Sequence, residues 1–308
     1  MPRPSPTIST TVRTNLKLGG LRLGFRLASA VAPAAAAARA GRLFGTPMRS
    51  SRTRAIQAPR YGAREVRVAV GDHHVQAYAW GDPGRQPYLL FSHGWSSHGT
   101  RIATWLPRLR ESGLAVVAFD QYAHGLSPGA FATIPSFVEH LLAVAAHFGQ
   151  PRVLVGHSLG GATAILAMQR GLRADRVVLV APAADPVDAG LRFAGLIGLA
   201  HHACLRMMRG FERRYGIEFA RMQAHRVVPA LACPALVVHD LRDREVPWCE
   251  GERYARHWPG ARLLSTEGLG HHRIMDHAGV IDAACAFIQG RAVGERVVSS
   301  PNLPFGLA

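Results

Sequence analysis

The chain has 308 residues, of which 48% are hydrophobic and 18% are charged. A chain of this length and apolar content can bury a full core, so wholesale disorder is excluded. The formal net charge of +16 at first suggests a nucleic-acid-binding protein. Most of that excess lies in residues 1–64, which hold twelve basic residues and no acidic residue. This segment lacks the interleaved aromatic side chains on which bases stack, so no nucleic-acid partner is expected.

Residues 1–60 are predicted to form a basic N-terminal arm that is rich in Pro, Ser and Arg and has an Ala-dominated middle. Three interpretations of the arm stay open. It is a signal or transit peptide, an Arg-lined amphipathic helix that lies on anionic lipid or on the domain itself, or a partly disordered basic segment. We expect a cytoplasmic protein, peripheral to the membrane if the arm binds lipid, with export as the alternative. No stretch reaches the ~18 apolar residues of a membrane span.

From residue 61 onward, short apolar runs alternate with helical stretches. Segments 64–70 and 75–80 alternate in polarity and are separated by Gly-Asp, which predicts a hairpin. Further strands are predicted at 88–92, 115–120, 153–156, 177–181, 235–239 and 262–265, with helices at about 98–112, 135–148, 159–170, 249–258 and 273–289. This alternation predicts an α/β fold: a mostly parallel central sheet with an N-terminal hairpin and helices on both faces. Ligands of such sheets bind beyond the carboxyl ends of the strands.

Residues 186–232 interrupt this rhythm because they contain no strand signal. We predict a helical cap insertion over the active edge of the sheet, within a domain that spans residues 61–290. Residues 291–308 are expected to be a C-terminal tail. The four cysteines are far apart and form no CxxC pair, so reduced packing residues are expected rather than a zinc or dithiol site.

The sequence G-H-S-L-G at residues 156–160 follows a predicted strand and opens a predicted helix. It fits the G-x-S-x-G nucleophile turn, in which Ser158 stands clear of the sheet on a tight, strained turn. A serine hydroxyl needs a base to remove its proton, and a third group to orient that base. Acid candidates Asp240 and Asp243 follow the strand at 235–239. Base candidates His271 and His272 follow the next strand.

These motifs resemble the α/β-hydrolase superfamily over about residues 64–290. In that family the acid lies in a G-x-x-D-x-x-V-P loop, and residues 240–247 read D-L-R-D-R-E-V-P. The resemblance implies that Asp243 is the orienting acid, with Asp240 in reserve. The G-L-G-H turn at 268–271 implies His271 rather than His272 as the base. The C-terminal motifs look like those of a subgroup of bacterial serine hydrolases with Arg-rich N-terminal segments.

The resemblance also implies an oxyanion hole. Its two amides are expected from Leu159, which follows the nucleophile, and from Trp95 in the S-H-G-W loop at 92–95. The loop D-Q-Y-A-H-G-L-S at 120–127 resembles a structural turn of the same superfamily. Candidate residues of the substrate pocket are His93, Gly94, His157, Met207 and Met208; packing is the alternative for the two methionines.

We therefore predict a serine hydrolase that cleaves a carboxylic ester through an acyl-enzyme on Ser158, acting on a small-molecule ester or acyl substrate. The alternatives are a small-substrate serine peptidase similar to aminopeptidases, a thioesterase or lysophospholipase, and a binding module that keeps the fold without catalysis. No metal is expected, although residues 271–277 hold three His and an Asp. No nucleotide-binding motif follows a strand, so no cofactor is expected. The oligomeric state stays open.

Overall fold

The computed structural model describes residues 8–297, with side chains from residue 18 onward. The chain forms two compact units. A sheet-bearing unit holds Thr46–Asp185 and residues 221–297. A helical unit holds residues 8–45 together with Pro186–Ala220.

The sheet-bearing unit is built on eight strands in the order β1-β2-β4-β3-β5-β6-β7-β8. Strand β2 runs antiparallel to β1 and β4, and the other neighbours are parallel. The predicted mostly parallel sheet with an N-terminal hairpin is therefore confirmed. The strands are β1 (Arg64–Val70), β2 (His73–Trp80), β3 (Tyr88–Ser92), β4 (Ala115–Phe119), β5 (Val153–His157), β6 (Arg176–Val180), β7 (Ala235–Asp240) and β8 (Ala261–Thr266).

The helices lie close to the predicted segments, with additional helices in the arm and the insertion. They are α1 (Ile8–Val31), α2 (Pro33–Phe44), α3 (Arg49–Gln57), α4 (Leu106–Glu111), α5 (Ile134–Phe148), α6 (Leu159–Gln169), α7 (Pro186–Ile197), α8 (His201–Tyr215), α9 (Ala224–Val227), α10 (Trp248–His257), α11 (Gly270–Arg273) and α12 (Ala278–Ile288).

The inner strands are apolar throughout because both faces of the sheet are covered. Successive side chains of a strand point to opposite faces. In β6, Val177 and Leu179 belong to the core on one face, while Val178 and Val180 belong to the core on the other. The first core also takes residues of α5, α6 and α10, and the second takes residues of α4 and α12. Burial on both sides explains why no polar alternation marks these strands.

Two predicted helices are broken in the structure. The segment predicted at 98–112 begins as a 3-10 helix over Gly99–Trp105, and α4 follows. Pro107 has no amide hydrogen to donate to the carbonyl of Ala103, so a continuous α-helix cannot form there. The segment predicted at 273–289 is divided into α11, a 3-10 turn and α12. The indole of Trp105 binds the carbonyl of Met275 at 2.8 Å, which occupies a helical acceptor.

The arm and the insertion differ from the predicted boundaries. Residues up to Gly45 join Pro186–Ala220, while residues 46–60 and 221–232 belong to the sheet-bearing unit. The Ala-rich helix α2 buries Ala36, Ala37 and Ala40. Such small side chains let two helices approach closely, and a methyl group at Gly41 would lie 3.4 Å from the ring of Phe211 in α8. Phe44 packs at 5.0 Å, centroid to centroid, from Phe193 in α7.

All four cysteines are free thiols. Within residues 8–297, no helix combines the length and the apolar character that crossing a membrane requires. The predicted C-terminal tail is described as far as residue 297, and Glu295 in it pairs with Leu263 at the edge strand β8. The rest of that tail lies outside the described residues.

The start of α6 packs so closely on the end of β3 that Gly160 has no room for a side chain. A Cβ atom there would lie 2.0 Å from the carbonyl oxygen of Ser92. We predict that Gly160→Ala lowers the free energy of unfolding by about 3 kcal/mol, measured by urea titration. Gly210→Ala is the control, because a methyl group there meets no atom within 4 Å, and it should be neutral or stabilise by up to ~1 kcal/mol. Equal losses in both variants would contradict the packing argument.

Candidate active site

Ser158 occupies a strained turn between β5 and α6. Its φ of 55° lies in the left-handed region that a side chain rarely adopts. The turn is held on both sides, since the Ser158 amide donates to the carbonyl of Val180 at 3.0 Å and the Ser158 carbonyl accepts from Gly161 at 2.9 Å. A Cβ atom at Gly156 would lie 2.5 Å from the Cα of Gly161. These glycines allow the tight turn, and Ser158 stays partly exposed at its apex.

His271 and Asp243 are hydrogen-bonded across the loops that follow β8 and β7. The distance from His271 Nδ1 to Asp243 Oδ2 is 2.7 Å, and both side chains are buried. The other oxygen, Asp243 Oδ1, accepts from the amides of Glu245 and Val246 at 2.8 and 3.0 Å. Burial by itself would raise the pKa of Asp243, but hydrogen bonds from His239 and His271 hold that pKa well below its ordinary value. The carboxylate is therefore charged at neutral pH.

Asp240, the alternative acid, binds the turn before His271 and not the His271 ring. Its carboxylate accepts from the hydroxyl of Thr266 at 2.8 Å and from the amides of Leu269 and Arg242 at 2.9 and 3.0 Å. These contacts tie the turn that precedes His271 to the end of β7. The neighbouring His272 bonds to Glu245 at 2.8 Å, and both side chains are more than half exposed. The structure thus pairs His271 with Asp243 and turns His272 to another acid.

Sequence reasoning missed a second histidine beside Asp243. His239, the penultimate residue of β7, is fully buried, and its Nε2 lies 3.5 Å from Asp243 Oδ2 and 3.0 Å from the Val246 carbonyl. A Cβ atom at Gly251 would lie 2.3 Å from His239 Nδ1, so α10 packs directly against the ring. The only signal in the sequence was its position next to last in the strand, in V-V-H-D. A histidine at that position is equally typical of a buried core residue.

The predicted oxyanion residues lie around Ser158. Gly94 approaches so closely that a Cβ atom there would be 2.9 Å from the Cβ of Ser158. The side chains of Trp95 and Leu159 pack against the same small cluster of Ala123, Ala132 and Phe137. Leu159 begins α6, and the first amides of a helix have no intrahelical partner. Leu159 therefore presents its amide at the N-terminus of α6, next to Ser158.

Two buried histidines frame this loop as neutral side chains. Burial lowers the pKa of His93 to about 3, and its Nδ1 donates to the Gly94 carbonyl at 2.7 Å while Nε2 accepts from the Gln121 amide at 3.0 Å. Burial also lowers the pKa of His157 well below its ordinary value. Its Nε2 donates to the His271 carbonyl at 2.9 Å, which links the turn at Ser158 to His271.

The end of the predicted arm supports this region. The Met48 amide donates to Ser96 Oγ at 3.0 Å, directly beside Trp95. Arg52 of α3 donates to the carbonyls of Gly125, Ser127 and Gly129. The 120–127 loop is further held by Asp120, whose carboxylate accepts from Gly99, Tyr78 and Leu126. Residues 46–57 are therefore part of the scaffold around the site.

The remaining candidates are explained by packing or ion pairs. Met207 and Met208 are buried inside the helical unit, where a methyl group at Gly41 would lie 3.6 Å from Met207 and one at Gly190 would lie 3.2 Å from Met208. In the stretch 271–277, Asp276 binds Arg101 at 2.7 Å. Among the residues described, no group of three or more His, Cys, Asp or Glu side chains could hold a metal ion.

Comparisons with known proteins find similarity to hydrolases. The family model described as "Serine aminopeptidase, S33" matches residues 85–214. A pimeloyl-[acyl-carrier protein] methyl ester esterase of Xanthomonas campestris is 28% identical over 235 residues, covering 63% of this chain and 92% of the esterase. Lipase LipV of Mycobacterium tuberculosis is 39% identical over 118 residues, covering 36% of this chain and 42% of that lipase.

Solved structures share the fold. Alpha/beta hydrolase domain-containing protein 10 from mouse superposes with a TM-score of 0.58 at 20% identity, covering 74% of this chain and 97% of the mouse chain. At 20% identity, this similarity bears on the fold alone.

The buried, neutral His93 predicts a specific pH dependence of stability. Its pKa is about 3 in the folded protein, against an ordinary 6.5. Between these values the unfolded chain binds a proton that the folded protein does not, so the free energy of unfolding falls as pH drops from 6.5 towards 3. His93→Gln should reduce this slope by up to about 1.4 kcal/mol per pH unit.

The slope is measured by urea unfolding at several pH values between 4 and 6.5. The matched control is His201→Gln, since His201 is exposed and should leave the slope unchanged. Parallel stability curves for wild type and His93→Gln would show that His93 is not the source of the pH dependence.

Proposed function

Because the chain belongs to the α/β-hydrolase superfamily, we propose that it is a serine hydrolase that cleaves carboxylic esters with Ser158, His271 and Asp243 as its catalytic triad. The buried 2.7 Å hydrogen bond between His271 Nδ1 and Asp243 Oδ2 is the observation that carries this proposal. The strained turn at Ser158 and the close approach of Gly94 to Ser158 support it.

The proposed reaction is acyl transfer in two steps. Asp243 holds the Nδ1 hydrogen of His271, so Nε2 carries the lone pair and takes the proton of Ser158 Oγ. The Ser158 oxygen attacks the ester carbonyl, and the amides of Trp95 and Leu159 stabilise the negative oxygen. His271 then protonates the leaving alcohol. Water attacks the acyl-enzyme by the same route and releases the acid, which restores Ser158.

The names of the relatives support esters in general as the substrate class. One is named a methyl ester esterase and another a lipase. A small-molecule ester or acyl compound is accordingly the proposed substrate, and a thioester or lysophospholipid is a variant of the same acyl chemistry. No cofactor is required by this mechanism, since each proton is moved by a side chain of the triad.

A second candidate is a small-substrate peptidase, which the description of the matching family model favours. Such an enzyme needs an acidic group that binds the amine of its substrate. Asp185 is engaged by Arg253 at 3.2 Å and by Gln223 at 2.6 Å, and Glu245 is engaged by His272. These pairings favour the ester hydrolase over the peptidase.

We predict that the protein hydrolyses p-nitrophenyl esters and that Ser158→Ala lowers kcat by a factor on the order of 10⁴ or more, because the nucleophile is lost. The measurement is a series of acyl chains from acetate to palmitate, with aminoacyl p-nitroanilides assayed in parallel. Ester turnover that survives in Ser158→Ala would mean that the nucleophile is another residue. Turnover of the anilides alone would establish the peptidase instead.

Substitutions of Asp243 and Asp240 should have different effects, the first on kcat and the second on stability. Asp243→Asn should lower kcat by roughly 10⁴ with little loss of folding, because His271 loses the partner that sets its tautomer. Asp240→Asn should mainly lower the free energy of unfolding, by about 1–3 kcal/mol, because the NH2 group that replaces one carboxylate oxygen cannot accept the hydrogen bonds made there. Each variant is assayed for kcat on the best ester and for stability by urea titration. The reverse pattern would make Asp240 the catalytic acid.

A further inference from the structure

Helix α1 carries an apolar stripe that the helical unit leaves uncovered. Leu23, Leu27 and Val31 are 58%, 59% and 83% exposed. They are spaced four residues apart, so they lie along one side of the helix. Phe25 and Ser29, on the opposite side, are buried at 3% and 1% exposure. The helix is therefore apolar on the side that packs within the unit and also on the side that faces solvent.

Basic side chains border this stripe. Arg22 and Arg26 each precede a leucine of the stripe by one residue, which places both along the same flank. Both side chains are exposed, and Arg22 also donates to the Gly195 carbonyl at 3.3 Å. Helix α1 contains no acidic residue, and neither does any part of residues 1–64. The surface thus combines exposed leucines with basic side chains and no acidic side chain.

We propose that the α1 stripe (Leu23, Leu27 and Val31, with Arg22 and Arg26 on its flank) docks the protein on an anionic lipid surface. The apolar side chains enter the boundary between headgroups and acyl chains, and the guanidinium groups bind lipid phosphates at the level of the headgroups. The helix lies in the plane of the interface, since the stripe runs along one side of its length.

The charge pattern favours lipid over a second copy of this chain. Two copies that met through this stripe about a two-fold axis would present the same patch to each other. Arg22 and Arg26 of one copy would then face the basic flank of the other, and α1 offers no acid to pair with them. An anionic bilayer supplies both the apolar phase and the opposite charge.

The proposal is tested by sedimentation of the full chain with vesicles of two compositions: phosphatidylcholine alone, and phosphatidylcholine mixed equally with phosphatidylglycerol. We expect much stronger partitioning into the anionic vesicles, weakened by added salt. The double variant Leu23→Gln, Leu27→Gln should lower this partitioning roughly tenfold or more, because the apolar contact is lost. Arg22→Gln, Arg26→Gln should lower it roughly tenfold on anionic vesicles only.

The matched control is Ile56→Gln. Ile56 is 55% exposed and also lies on a helix with basic neighbours, α3, so it tests whether any exposed apolar residue has the same effect. The readout is binding, so it is independent of the ester hydrolysis proposed above. Glutamine keeps helix propensity high, and circular dichroism melting verifies that each variant folds.

Four results would overturn the proposal. They are equal binding to both vesicle types, unchanged binding of both double variants, an equal loss in Ile56→Gln, and a fall in molecular mass by light scattering for the leucine variant without any vesicle binding by wild type. The last result would identify the stripe as an interface between copies.

Discussion

The candidate active site depends on one buried hydrogen bond, from His271 to Asp243. It joins the loops after β7 and β8, two parallel strands paired in register from Ala235 with Ala261 to Asp240 with Thr266. Burying a carboxylate is costly unless hydrogen bonds compensate for the lost water. The amides of Glu245 and Val246 and the ring of His239 surround Asp243, so the charge is retained in the interior. Asp240 then holds the turn that carries His271 in place.

A second constraint is the close approach of backbone segments at the end of β5. Gly160 packs on the carbonyl of Ser92, and Gly94 packs on Ser158. These contacts bring the loop after β3 against the nucleophile turn, and they are possible only where no side chain intervenes. The positive φ at Ser158 is retained because hydrogen bonds to Val180 and from Gly161 hold the backbone of Ser158. The loop after β3 and the turn at Ser158 therefore form one packed assembly.

The helical unit shows why the arm and the insertion belong together. Helix α8 has an apolar face that includes Cys204, Met207 and Met208. Helix α7 covers Cys204 and Met208 at Gly190, and α2 approaches Met207 at Gly41. Helix α1 completes the unit through Ser29, whose hydroxyl accepts from the Ala200 amide at 3.2 Å. The segment from α1 to Gly45 is thus a structural part of the unit, and Leu23, Leu27 and Val31 of α1 stay exposed on its surface.

The sequence by itself determined the sheet, the nucleophile turn and the two loops that hold Asp243 and His271. These features depend on local periodicity and on motifs whose residues lie close together in the chain. The tertiary structure alone decided that Asp240 supports the turn before His271 and that His239 adjoins Asp243. It also decided that Met48 binds Ser96 beside Trp95. It decided as well that the Ala-rich helix α2 packs on the insertion. A helix rich in alanine has no strong pattern of polar and apolar faces, and its partner helix is distant in sequence. Contacts of this kind arise from packing between segments, which no local pattern records.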